Sequence, residues 1–262
     1  MGEAALSTGW EPDVPVTDTI VRRYMLDLAD VNHRLAASLD AAYRDDLVVI
    51  ADCSSPNGFL NTAVLVHPRA ALDPTLAVTR ARQFFAEREG GDVTVMSPWP
   101  TADLRRYGFS LMGHPPIMLR PAGGQAPPSP AGLEIRRVET LDELRTFEDI
   151  ETRAYGDQAF QYPDVILELD GWHMWLGYVD GDPVATAAAS LANGIVRVEW
   201  IATRAEARGR GIGEAMTWTA TLLDPDRDAV LISSDLGRPV YERMGYRALD
   251  RLTLWTANRE MP

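Results

Sequence analysis

Arg208-Gly209-Arg210-Gly211-Ile212-Gly213 sets three glycines within five residues. The stretch lies between a run that reads as a buried strand, Ile195 to Thr203, and one that reads as a helix, Glu214 to Leu223. Glycines at such a turn let backbone approach a ligand closely. The unpaired N–H groups of a helix start, with its dipole, favour an anion there. Arg208 and Arg210 add positive charge. The chemistry implied is retention of a phosphate-bearing ligand at a strand–loop–helix junction. The dinucleotide fingerprint G-x-G-x-x-G needs its third glycine where Glu214 stands, and no G-x-x-x-x-G-K-[ST] string occurs. The competing reading is a glycine-rich turn that caps an ordinary helix.

The chain of 262 residues is long enough for one large or two ordinary domains, and its 46% apolar content supports a real core. A formal net charge of −13 argues against non-specific binding to nucleic acid or an anionic membrane surface. The single cysteine, Cys53, excludes an intrachain disulfide and fits a reducing, cytoplasmic setting. No run of about 18 apolar residues occurs, and Met1 to Trp10 lacks the order of a signal peptide. The four histidines are scattered without ligand spacing, so no metal site is expected.

Several elements must position the loop. Residues 1–15 read as an extended arm, and Val16 to Leu39 as an amphipathic helix with Ile20, Val21, Tyr24, Leu28, Val31 and Leu35 on one face. Leu47 to Ala51 and Phe59 to Val66 form a hairpin around Asn57-Gly58. Asp73-Pro74 starts a helix to Glu89, Val93 to Met96 is a strand, and Ala102 to Tyr107 a short helix. Residues 121–132, PAGGQAPPSPAG, mark a linker between domains 1–120 and 133–262. Beyond it, Thr140 and Glu143 have capping-box spacing. Strands follow at Trp172 to Val179, Val184 to Leu191 and Ile195 to Thr203, with hairpin turns at Asp180-Gly181-Asp182-Pro183 and Asn193-Gly194. After the loop helix come a strand, Ala229 to Ser233, a helix, Arg238 to Met244, and two last strands.

The R-x-x-G-x-G pattern at 208–213 resembles the acetyl-CoA pyrophosphate loop of the GNAT superfamily of N-acetyltransferases. Tyr241-Glu242-Arg243-Met244-Gly245-Tyr246 resembles that family's last motif, and the element order over 133–256 is similar to its fold. The resemblance implies an α/β (α+β) fold. The first half repeats the element order, which implies two GNAT-like lobes, each a mixed, mostly antiparallel sheet flanked by helices. Setting Val66 opposite Thr203 puts Leu72, Asp73, Pro74 and Leu76 where Gly209, Arg210, Gly211 and Gly213 stand, and Leu104 where Tyr241 stands. A loop without glycine that carries an Asp offers no such cradle, so the first lobe reads as a degenerate copy, against the alternative of an unrelated α/β domain, and one active site is expected per chain.

The resemblance assigns roles. Acetyl-CoA is the expected co-substrate. Backbone groups at Ile201, Ala202 and Thr203 are expected to hold the pantetheine arm and the carbonyl oxygen, and Gly209 to Gly213 the pyrophosphate, with Arg208 and Arg210 beside them. Tyr241 is the candidate general acid toward the departing thiolate, against the alternative of a tyrosine that packs the last helix on the sheet. Glu199 is the candidate base, although family members with a strand-borne glutamate carry it nearer to position 197, which is Arg197 here. Glu199 could instead work through a water, bind a substrate ammonium, or pair with Arg197. Ser234 stands where an Asn often contacts the cofactor. Trp172, Trp175 and Trp200 read as core, or one of them as a pocket wall.

The expected activity is direct acetyl transfer from acetyl-CoA to a primary amine of a small molecule, with no nucleic-acid or membrane partner and with a homodimer left open. The alternatives are a non-catalytic acyl-CoA-binding or regulatory module and a protein whose first lobe is a recognition surface.

Overall fold

The computed structural model describes residues 19–156 and 159–259; the expected arm at 1–15 lies outside them. The first half holds helix α1 (Ile20–Ala37), strands β1 (Ala42–Arg44), β2 (Val48–Asp52) and β3 (Asn61–Leu65), helices α2 (Pro68–Leu72) and α3 (Thr75–Ala86), and strands β4 (Val93–Ser97), β5 (Ser110–Gly113) and β6 (Pro116–Arg120). The second half holds β7 (Leu133–Arg137), α4 (Leu141–Tyr155), β8 (Trp172–Val179), β9 (Asp182–Ala192), β10 (Ile195–Thr203), α5 (Ile212–Thr221), β11 (Ala229–Ile232), α6 (Arg238–Arg243), β12 (Arg247–Arg251) and β13 (Thr253–Ala257).

Local chemistry explains most boundaries. The Thr140–Glu143 capping box forms in full at the start of α4. Asp73 accepts from the Thr75 N–H at 3.2 Å, so α3 begins at Thr75. The expected helix over 102–107 is only a 3-10 turn at Arg105–Tyr107. There Asp103 captures the Arg105 N–H at 2.9 Å, and Gly108 closes the turn at φ 84°.

Two mostly antiparallel sheets result, ordered β1-β2-β3-β4-β13-β5 and β12-β6-β11-β10-β9-β8-β7. Each contains one parallel pair around a helical crossover, β3–β4 and β10–β11. Sheet membership does not divide at the 121–132 linker. Strand β6, before the linker, lies between β11 and β12 of the second sheet. Strand β13, at the far end of the chain, lies between β4 and β5 of the first. The crossing is pinned where Leu252 N–H donates to the Pro115 carbonyl at 3.0 Å and Ser233 N–H to that of Pro116 at 3.1 Å. Asp52, fully buried, takes both terminal nitrogens of Arg259 at 2.7 Å, which ties the end of the described chain to β2.

Helix α1 carries this exchange into the core. Tyr24, Met25 and Leu28 pack in one cluster with Val49 and Val64 of the first sheet and Ile195 and Val230 of the second. The lobes thus share a hydrophobic core.

Candidate active site

Strand β10 and its neighbours build the site. Strands β10 and β11 pair in register only at Val196↔Ala229 and Arg197↔Val230; beyond Arg197 they splay. On its other side β10 bulges, with the register to β9 shifting between Glu199 and Ala202. Trp200 sits in the bulge at φ 53°, a left-handed conformation that costs a non-glycine residue about 1–3 kcal/mol. Its ring is clamped edge-on by Phe160 at 5.0 Å, Phe59 at 6.2 Å and Tyr162 at 6.3 Å between centroids.

Polar contacts fix the backbone of the bulge. Tyr155 donates its hydroxyl proton to the Ile201 carbonyl at 2.7 Å. Ala202 N–H donates to Thr186 Oγ1 at 3.2 Å, so Ala202 has no free N–H to offer a ligand. Thr203 pairs with Ala185, and the adjacent Arg204 N–H donates to the Val184 carbonyl. Alternation therefore turns the Thr203 N–H toward the edge that β11 has left.

Thr186 also lies 3.2 Å from the Trp200 carbonyl and contacts the carboxyl of Glu151 on α4. Glu151 is fully buried; burial pushes its pKa well above the usual carboxylate range, against a smaller opposing pull from Thr186. Thr186 Oγ1 donates to Glu151 and accepts the Ala202 N–H, so the buried carboxyl on α4 is tied to the bulge through one hydroxyl. The sequence pattern hid this residue among the charges of an amphipathic helix.

The glycine loop follows directly. Gly209 and Gly211 adopt φ 75° and 77°, with no atom near a Cβ at Gly209. A Cβ on Gly213 would lie 3.1 Å from Thr203 Oγ1. Helix α5 starts with Gly211 at its N-cap and no side-chain hydrogen bond, leaving its first N–H groups for an external acceptor. Ile212 is buried and anchors the helix below the loop. Arg208 and Arg210 are exposed, and Arg208 Nε turns back to the Thr203 carbonyl at 3.0 Å. This loop suits the pyrophosphate of a CoA thioester, and the splay beside it suits an extended arm.

Glu199 does not stand alone. Its Oε1 accepts from Arg197 Nη1 at 2.8 Å and from the Tyr24 hydroxyl at 3.0 Å. Arg197 Nε in turn meets Asp27 on α1, which also takes the Ser190 hydroxyl. Asp27 is 0% and Arg197 1% exposed. Burial opposes the charge on Arg197, but Asp27 and Glu199 more than offset it and hold its pKa above the ordinary value. Burial, followed by the Glu199 charge, raises the Tyr24 phenol well above its own. Of the readings open to Glu199, the pairing with Arg197 is present. Asp27 and Tyr24 escaped notice because they fall on the apolar stripe of α1, where a carboxylate signals a buried partner.

Tyr241, on α6, is half-buried, and its ring meets Tyr246 edge-on at 6.0 Å. Burial, helped by the charges of Glu199 and Glu151, pushes its pKa up to about 12. Gly237 makes room for it; a Cβ there would stand 3.3 Å from both Tyr241 Cε2 and Ser234 Oγ. Ser234 accepts the Gly237 N–H at 3.0 Å, so its hydroxyl already serves the turn before α6.

The residues of the bulge and of α6, but not those of the glycine loop, line one cavity of about 560 Å³. Glu199, Ile201, Ser234 and Tyr241 line it, together with Trp172 and Trp200 and with Tyr24, Leu28, Val31 and Leu35 of α1. Trp175 lies elsewhere, stacked on His173 at 6.0 Å. On the first lobe, the place of the glycine loop holds the end of α2, the Asp73-Pro74 turn and the start of α3, and Leu104 is fully buried.

Residues 138–246 match the family model described as the Acetyltransferase (GNAT) family. A solved GCN5-related N-acetyltransferase from Kribbella flavida is similar, with a TM-score of 0.63 and 22% identity, over 88% of this chain and 95% of that one. A GCN5-related N-acetyltransferase from Sphaerobacter thermophilus has a TM-score of 0.57 and 18% identity, over 90% and 93%. These likenesses extend the shared fold across both lobes. No curated protein matches the sequence.

Proposed function

Because the chain carries a domain of the acetyltransferase (GNAT) family over residues 138–246, we propose that it transfers an acetyl group from acetyl-CoA to a primary amine held in the cavity between its lobes. The observation that carries this reading is the glycine loop at the start of α5, which directly follows the strand β10 that splays from β11 and shares a cavity with Tyr241 through Glu199 and Ile201. The co-substrate supplies an acetyl group activated as a thioester. The first N–H groups of α5 and those of Gly209 to Gly213 bind its pyrophosphate. The Thr203 N–H, on the open edge of β10, and that of Ile201 serve its arm and carbonyl oxygen.

Glu199 orients the amine. Its Oε1 is occupied twice, while Oε2 makes no hydrogen bond among the described residues. That oxygen accepts from an incoming ammonium, which then loses its proton through water. Tyr241 donates toward the sulfur that departs. A setting inside the cell follows from the need for acetyl-CoA and is part of the same proposal.

The first expected result is binding. Acetyl-CoA titrated calorimetrically into the intact chain gives a saturable isotherm below millimolar concentration. Heat indistinguishable from dilution at millimolar ligand contradicts the proposal.

A further inference from the structure

The cavity has two chemically different ends. Toward Tyr241 lie the carboxyl of Glu199 and the hydroxyls of Ser233 and Ser234. Along α1 the lining is mostly apolar, Leu28, Val31 and Leu35 with Phe160, Trp172 and Trp200, and Asn32 and the Glu199-bonded Tyr24 are its polar members. Among the described lining residues Arg197 is the one cation, and its charge is paired with Asp27 and Glu199. Two carboxyls face one guanidinium in that cluster, so the local charge repels an anion and favours a single ammonium at Glu199. No second acid lines the apolar end, where a further charge would be buried without a partner. The cavity volume of about 560 Å³ lies within the roughly 300–1,000 Å³ of sites that enclose a small organic ligand.

We propose that the acceptor is a monoamine carried on an apolar body of aromatic size, with the amine at Glu199 and the body packed between helix α1 and the ring of Trp200. The inference rests on the transferase reading for its chemistry, but the apolar end and its charge balance stand on the cavity alone. It assigns the first lobe a task. The degenerate copy supplies the wall that selects the acceptor, and its α1 reaches across to do so. Phosphorylated amines and polyamines are disfavoured by the same features: they bring an anion beside two carboxyls, or a second cation to a part of the lining that has no acid for it.

The test uses the intact chain with acetyl-CoA and four amines: 2-phenylethylamine, ethylamine, spermidine and glucosamine. Burial of one phenyl group corresponds to a preference of at least about tenfold. The expected result is a kcat/KM for 2-phenylethylamine at least about tenfold above each of the other three. Leu28→Ala, checked for native circular dichroism, lowers that preference. Calorimetry with 2-phenylethylamine alone provides a readout that needs no turnover. Transfer with spermidine or glucosamine preferred overturns the acceptor class and leaves the transferase reading standing. Saturable binding of 2-phenylethylamine without thioester cleavage supports the class and removes the transferase reading. Neither binding nor transfer of 2-phenylethylamine overturns the class.

Discussion

Replacing Tyr241 by Phe lowers kcat by about 10²-fold and leaves the affinity for acetyl-CoA within about twofold. The position is set by α6 and by Gly237, which a larger residue would push against the ring. The magnitude follows from the proton balance. A phenol pushed up to about 12 is fully protonated at neutral pH. It is also a weaker acid than a thiol of reference pKa ~8.5, so complete transfer to a free thiolate is uphill by on the order of 5 kcal/mol. Tyr241 therefore acts mainly by a hydrogen bond to the developing sulfur charge, and the product ammonium returns any proton it gives up. That places the loss at the lower end of what a general acid contributes, roughly 10²–10⁴-fold. Steady-state kinetics with a separate binding measurement checks the split. Unchanged kcat removes the acid role, and a large loss of affinity reassigns the residue to cofactor binding.

Replacing Arg197 by Met destabilises the protein by about 3–5 kcal/mol. The change leaves Asp27, with no exposed surface, and Glu199 without their counter-charge. The double variant Arg197→Met with Asp27→Asn recovers a large part of the loss, because it removes the charge that the single change strands. Chemical denaturation reads both. A loss under about 1 kcal/mol in the single variant contradicts a fully buried cluster. The pair also joins the lobes, since Asp27 belongs to α1 and Arg197 to β10. Shortening the chain at the linker offers no clean view of one lobe. Deleting residues 1–120 removes β6 from between β11 and β12 as well as α1 from the cavity.

What could be read from the sequence is local. Strands β8 and β10 end where alternation and the turn residues place them, and the Thr140 capping box closes as its spacing requires. The glycines at 209 and 211 take the left-handed conformation that a tight anion-binding turn needs. The strand exchange was not readable. Ser110–Gly113 and Pro116–Arg120 are separated only by His114 and Pro115, yet they enter different sheets. Nothing in either run states which distant edge it completes. Glu199 and its pairing with Arg197 were visible, but the partners on α1 were not: Tyr24 lies 175 residues from Glu199 and Asp27 lies 170 residues from Arg197. The strain at Trp200 was equally hidden, because a β-bulge depends on the register of β9.

The most direct test follows release of free thiol from acetyl-CoA by the intact chain with 2-phenylethylamine, with the acetylated amine identified by mass. The account predicts one thiol released per N-acetyl product over many turnovers, strongly reduced in Tyr241→Phe. Saturable binding of acetyl-CoA with no thiol release above the rate without protein would contradict it, and would leave a binding module in place of an enzyme.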